Sequence, residues 1–433
     1  MQEAHTVGPA VAQKSSAAGI SAVKRVLVIA YHFPPLAGSS GIQRTLRFVQ
    51  HLRRFGWEAM VLTCNARAYD DVKPDLDRDI PPGTIVERAF ALDTSRHLAV
   101  GGRYPEWLAR PDRWVSWWLG AMLAGRRLIR NNKPDALFST YPIATAHLIG
   151  FSLARASGLP WIADFRDPMA QDGYPEDPRT WTSFKRVEER TFRLAAACTF
   201  TTTSAARFYA ERYPNSRSRI EVIENGYDEE AFTDADREPP EPLNPEMVTI
   251  LHSGIVYPQE RDPTYLFMAL SALKKKGVDG NVLRVRFRAA FHDGLIFALA
   301  TQYGVQDMIE IAPHIPYRQA LREMLCADGL LVLQAANCNA QVPAKLYEYL
   351  RARKPVIALT DAEGDTAKVL RASGIEATAN LDDPVAIEAL LHRFLRPERH
   401  GMIASDHAVA RASRERRAQE LAALLDSVCE RSQ

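Results

Sequence analysis

No stretch of this 433-residue sequence stays apolar over the roughly 20 residues that a membrane-spanning helix requires. The longest candidate, Trp114 to Gly125, stops after about a dozen, so no span is expected. Cysteine is scarce too. The five, Cys64, Cys198, Cys326, Cys338 and Cys429, are odd in number and never form a C-x-x-C pair, which argues for reduced thiols and against zinc. An excess of one charge is also missing: a net charge of +2 is far from the basic balance of a chain built to neutralise nucleic acid, and no nucleic-acid partner is expected. Residues 1 to 24 lack a long apolar core, so they read as a flexible tail and not a signal peptide. A cytoplasmic location follows as an expectation.

What is present is a globular balance, 46% hydrophobic and 24% charged, in a chain long enough for two domains with cores of their own. Arg25 to Ala30, RVLVIA, is the short apolar run of a buried parallel strand. A glycine loop follows, and then a helical pattern with Ile42, Leu46, Val49 and Leu52 at helical spacing, stopped by Gly56. Further strands are expected at 59–63, 85–88, 136–140, 161–164, 199–203 and 221–224, with helices between most of them. The acidic, proline-rich run 233–246 reads as a linker. Beyond it the alternation restarts, with strands at 248–252, 282–287, 308–311, 329–333 and 355–359. The fold class expected is α/β, as two Rossmann-like doubly wound domains facing across a cleft. The divisions are a tail at 1–24, a first domain at 25–232, a linker at 233–246, a second domain at 247–404 and a C-terminal segment at 405–433. Within the last, Ala408 to Cys429 reads as one long helix whose arginines Arg411, Arg414, Arg416 and Arg417 face solvent.

The richest stretch is QVPAKLYEYLRARKPVIAL, Gln341 to Leu359, a helix followed at once by a strand. Pro343 suits a first helical turn, whose free N–H groups point outward as anion donors. Lys345 and Glu348, three apart, share a face, while Leu346, Tyr347 and Leu350 can pack inward. A solvated Lys/Glu pair on a surface helix would look the same. In the first domain, Gly38-Ser39-Ser40-Gly41 joins strand to helix, where glycines let backbone approach a ligand. WIADFRDP sets Asp164, Arg166 and Asp167 at the end of a strand, and one aspartate is expected to form a structural pair with an arginine. We assign that role to Asp164. In the second domain Ser253-Gly254 ends a strand, and Arg261 follows within reach of a diphosphate. Asp75-Leu76-Asp77 and Asp234-Ala235-Asp236 are read as chance pairs, and no metal is expected.

PAKLYEYLRARKPVIAL resembles the donor-site helix of retaining, family 4-type glycosyltransferases of the GT-B fold, the glycosyl transferases group 1. YHFPPLAGSSGIQR, WIADFRDP, Asn225-Gly226-Tyr227-Asp228 and the Ser253-Gly254 loop match that family in the same order, from Lys24 to about Arg396. The resemblance implies a nucleotide-sugar donor, UDP- or GDP-linked, with no other cofactor. It places Glu348 on the donor ribose, Arg261 and Lys345 on the departing diphosphate, and Arg166 and Asp167 in the cleft. It further implies that Ser253, Gly254, Pro343, Gly38 and Gly41 contact the donor. The acceptor it implies is a glycan or a polyprenyl-diphosphate-linked sugar, in cell-surface polysaccharide synthesis, and a C-terminal helix packed back on the first domain. One departure stands out. The family usually carries a glutamate eight positions before Glu348, near the transferred sugar, and here that position is Ala340. Two rivals therefore stay open: a nucleotide-sugar epimerase of the same fold, and a nucleotide-binding protein without transfer activity. Finally, Trp107, Trp114, Trp117 and Trp118 precede Arg126, Arg127 and Arg130. The tryptophans are a core stripe or, with the basic flank, a surface for the inner membrane leaflet.

Overall fold

Apolar runs separated by amphipathic helices produce two parallel sheets in the computed structural model, which describes residues 23–38, 41–237 and 239–431. The first sheet holds β1 (Lys24–Ala30), β2 (Trp57–Cys64), β3 (Val86–Ala89), β4 (Ala136–Thr140), β5 (Trp161–Arg166), β6 (Ala197–Phe200) and β7 (Arg219–Val222). Its order is β3-β2-β1-β4-β5-β6-β7. The second holds β8 (Val248–Ser253), β9 (Leu283–Arg288), β10 (Ile309–Ala312), β11 (Gly329–Leu333), β12 (Val356–Leu359) and β13 (Thr378–Ala379), in the order β10-β9-β8-β11-β12-β13. Both sheets reverse direction of winding once, between β1 and β4 and between β8 and β11. Crevices at the carboxyl ends of such strands are where open α/β sheets bind ligands.

Burial follows the sequence pattern closely. All five residues of β4 and all six of β5 are buried, because helices cover both faces of a parallel sheet. Register then sets chemistry: Thr140 lies beside Asp164 across the β4–β5 ladder, and an irregularity between Asp164 and Arg166 turns the end of β5. Arg166 adopts a left-handed φ of 62°, a conformation that a residue with a Cβ seldom takes.

Four sequence expectations shift. The chain between 405 and 431 forms two helices, Asp406–Arg411 and Arg414–Glu430, because Ser413 breaks the run to pair with Tyr227 and to cap the second helix. The second helix packs Leu421, Leu425 and Val428 against Val26, Leu46 and Phe48 of the first domain. Its arginines are not all solvated, since Arg414 and Arg417 are buried. The stretch read as the start of the linker is the end of a helix, Glu229–Ala235, whose Ala231, Phe232 and Ala235 join the core of the second domain. Lastly, β6 ends at Phe200, since Thr202 caps the next helix, Thr203–Arg212, through Ala205 N–H.

The tryptophan stripe is core. Trp117 is fully buried, and Trp114 and Trp118 donate their indole N–H groups to Ala68 O at 3.0 Å and Ser152 Oγ at 2.9 Å. Trp107 remains exposed, at 68%.

Candidate functional site

The carboxyl ends of both sheets face one cavity of about 510 Å³. Gly41, Arg44, Arg166 and Asp167 line it from the first domain, and Tyr257, Glu260, Arg261, Gln334 and the segment Gln341 to Ala344 from the second. Asn225 and Arg414, on the two strands of chain that cross between domains, close it. Four arginines against two carboxylates give the lining an excess of positive charge.

The first-domain wall is built around Asp164. Its carboxylate accepts from Arg44 Nε and Nη2 at 3.0 and 2.9 Å, from Thr140 at 2.9 Å and from Thr199 at 2.8 Å. Burial is the largest single influence and would raise its pKa, but Arg44, Arg166 and Thr199 acting together hold the carboxyl below the usual range. Arg166 donates to Thr140 Oγ at 3.0 Å, Gly41 O at 3.1 Å and Thr45 Oγ at 3.2 Å, so it fastens the glycine loop as well as lining the cavity. Asp167, by contrast, opens into the cleft and accepts one longer bond, from Thr201 at 3.3 Å. Desolvation in the cleft raises its pKa despite the neighbouring Arg166. Glu188 steadies the loop beyond it by accepting from Ala170 N–H at 2.8 Å and Tyr213 Oη at 2.9 Å.

On the second-domain wall, the helix Lys345–Ala352 begins beside Pro343, and Leu346, Tyr347 and Leu350 point into the core. Lys345 Nζ donates to His252 Nε2 at 3.2 Å. Burial first, then Arg261, push the Lys345 ammonium down to about 7. Glu348 accepts from Tyr317 Oη at 2.8 Å, and burial raises its carboxyl above the usual range. Arg261 donates to Ile255 O at 2.7 Å and lies 5.1 Å from the centre of the Tyr257 ring.

The glycine-bearing loops enter the site in different ways. Ser253 and Gly254 do not offer free amides, since Ser253 N–H bonds to Tyr349 Oη at 3.0 Å and Gly254 N–H to Arg288 O at 2.9 Å. What Gly254 provides is room: a Cβ there would stand 3.2 Å from Lys345 Nζ. Gly38 is an exposed turn residue with φ 74° outside the cavity lining, whereas Gly41 is part of it; Ser39 and Ser40 lie outside the described residues. Ala340 contributes only backbone, its carbonyl accepting from Thr202 Oγ at 2.8 Å across the domain boundary.

The sequence reading missed Arg44, His252, Tyr317, Gln334 and Arg414. One signal was available for the cations. A basic residue in the first turn of a helix opposes the helix dipole, and Arg44, Lys345 and Arg414 all stand there.

Two sheets wound in this order, with a cationic cleft between their carboxyl ends, define the GT-B fold. Residues 40–231 match the family model described as Glycosyltransferase Family 4. No curated protein matches the chain by sequence. Among solved structures it is similar to HepE of Anabaena in complex with UDP and glucose, at 13% identity and a TM-score of 0.64, over 94% of this chain and all of that one. Sucrose-phosphate synthase of Thermosynechococcus elongatus aligns at 13% identity and 0.56, over 94% and 97%. A Listeria monocytogenes protein described as a UDP-N-acetylglucosamine 2-epimerase aligns at 10% and 0.57, over 94% and 97%. At these identities the likeness is one of fold.

Proposed function

We propose that the chain transfers a sugar, with retention, from a nucleotide-sugar donor to a glycan or polyprenyl-diphosphate-linked acceptor in cell-surface polysaccharide synthesis. The observation that carries this reading is the cationic cavity between the two switch points, lined by Arg261, with Lys345 and Glu348 on the helix that adjoins its wall at Pro343 and Ala344. HepE, of the same fold, is solved with UDP and with UDP-glucose, which favours a UDP-linked donor here. In this mechanism Glu348 accepts from the ribose hydroxyls. Arg261 and Lys345 neutralise the leaving diphosphate, whose charge grows as the sugar–oxygen bond breaks. The acceptor hydroxyl attacks from the leaving-group side and passes its proton to a phosphate oxygen, while Asp167 and the adjoining loop orient it. No metal enters this scheme. The test is a panel of UDP- and GDP-sugars screened by thermal shift and then by transfer to soluble and lipid-linked acceptors. Turnover of donor with no acceptor would favour the epimerase reading, and binding without turnover the non-catalytic one.

No described helix is long and apolar enough to cross a membrane. Peripheral binding to the inner leaflet remains part of the proposal, carried now by a different face. On the helix Trp117–Asn132, Leu119 and Leu123 are 60% and 76% exposed in line with exposed Arg126, Arg127 and Arg130. An apolar stripe beside a basic one suits an anionic lipid surface. Flotation with anionic vesicles should fall with salt and with the three arginines changed to Gln; no binding at low salt would leave a soluble acceptor.

A further inference from the structure

The C-terminal helix Arg414–Glu430 begins with a cation at the end where aligned peptide dipoles already concentrate positive charge. Arg414 is also only 9% exposed. Burial without a counter-ion is unfavourable for any charge, and a helix N-terminus adds to the cost. Neighbouring arginines are relieved in the usual way: Arg44 reaches Asp164, Arg47 reaches Asp228 and Arg417 reaches Glu224. Arg414 is not. Among the described residues no carboxylate comes within ion-pairing distance of its guanidinium, and its Nε has no hydrogen-bond partner.

Its position is fixed by backbone. Ser413 pairs with Tyr227, and Arg414 N–H donates to Tyr227 O at 2.9 Å, exactly where the chain crosses between domains. From there the side chain forms part of the cavity wall with Arg44, Arg166 and Arg261. Glu348 and Asp228 lie near enough for a carboxylate charge there to favour the guanidinium, and Tyr317 is close as well, yet none of the three bonds to it. The guanidinium is thus buried, held in place, unpaired and turned toward an anion-sized space.

We propose that Arg414 is a phosphate-binding residue, meeting an oxyanion of a phosphorylated ligand held between the domains. This inference deepens the nucleotide-sugar reading and rests on it. A donor diphosphate and an acceptor phosphate share the chemistry that a planar guanidinium recognises. The nearness of Glu348 and Tyr317, both on the second domain, points to the donor. The contact would also explain why the cation comes from this helix. Its body packs on the first domain while the chain just before it packs on the second, so a phosphate held there touches the connection between the two.

The full-length chain and its Arg414→Gln and Arg414→Lys variants are compared by calorimetry with UDP, uridine and inorganic pyrophosphate, and by thermal melting without ligand. Arg414→Gln should weaken UDP at least tenfold and leave uridine unchanged, Arg414→Lys should fall between, and the ligand-free melting temperature should hold or rise as an unpaired charge is removed. A parallel loss of UDP and uridine, or a fall in melting temperature with UDP affinity intact, overturns the proposal in favour of a structural role. If the wild-type chain binds pyrophosphate through Arg414 but no UDP, GDP or other nucleotide, the phosphate assignment stands and the donor reading fails. If the wild type binds none of these, both fail.

Discussion

Lys345 Nζ and His252 Nε2 lie 3.2 Å apart, and the same imidazole bonds through Nδ1 to Leu331 O at 3.0 Å. A carbonyl only accepts, so Nδ1 carries the ring proton and Nε2 takes a hydrogen from the lysine. Burial, then the nearby Lys345, keep His252 neutral well below its ordinary range. The lysine is therefore held by a group that cannot neutralise it, in a space that Gly254 leaves open.

Proton uptake on nucleotide binding follows. With Lys345 near 7 in the empty site, much of it is neutral at pH 8, and a diphosphate beside it restores the charge. Calorimetry with UDP in two buffers of different ionisation heat should show net proton uptake at pH 8, less at pH 6, and none in Lys345→Met. The stability consequence has a definite sign. An unfolded lysine titrates near 10.4, so between about 7 and 10 the unfolded chain binds more protons, and ligand-free stability rises with pH across that window. Lys345→Met should flatten it.

Glu348→Ala should weaken UDP binding by about 1–3 kcal/mol, the cost of leaving buried ribose hydroxyls without their acceptor. Tyr317→Phe removes the 2.8 Å bond that orients the carboxylate and should cost less. Unchanged affinity in a folded Glu348→Ala protein would detach this helix from the donor.

Arg261→Ala and Lys345→Ala should lower kcat more than donor affinity, since the leaving diphosphate is most charged in the transition state. Steady-state kinetics beside direct binding separates the two. Equal losses would mean that the cations hold the ground state alone.

Much of this was legible in sequence, for a physical reason. Parallel strands buried on both faces are continuous apolar runs, so β1, β4, β5 and β11 announce themselves, while β13, two residues long, carries no period at all. The inward face of the helix Lys345–Ala352 could be read from spacing. What could not be read was partnership over distance. Arg44 meets Asp164 across 120 residues, and Lys345 meets His252 across 93. Arg414 was hidden by its composition, one arginine among four in a helix that looks solvated until the fold buries part of it.

The two aspartates of WIADFRDP should separate structure from chemistry. Asp164 is fully buried and satisfies Arg44, Thr140 and Thr199 together, so Asp164→Asn leaves a buried guanidinium without its counter-charge. Breaking one side of such a pair costs about 3–5 kcal/mol, and the variant should melt well below the wild type. Because the Asp164 carboxyl is held below its ordinary range, the stability it contributes is present above about pH 4 and is lost as pH falls through the folded value. The wild type should lose stability on acidification more steeply than Asp164→Asn. Asp167 has a single long bond and faces the cleft, so Asp167→Asn should fold and melt as the wild type does. Its donor affinity should also hold, because the second domain carries that task, while transfer to the acceptor falls. Loss of UDP binding in Asp167→Asn would show that this wall of the cleft serves the donor as well, and the division of labour between the domains would have to be redrawn.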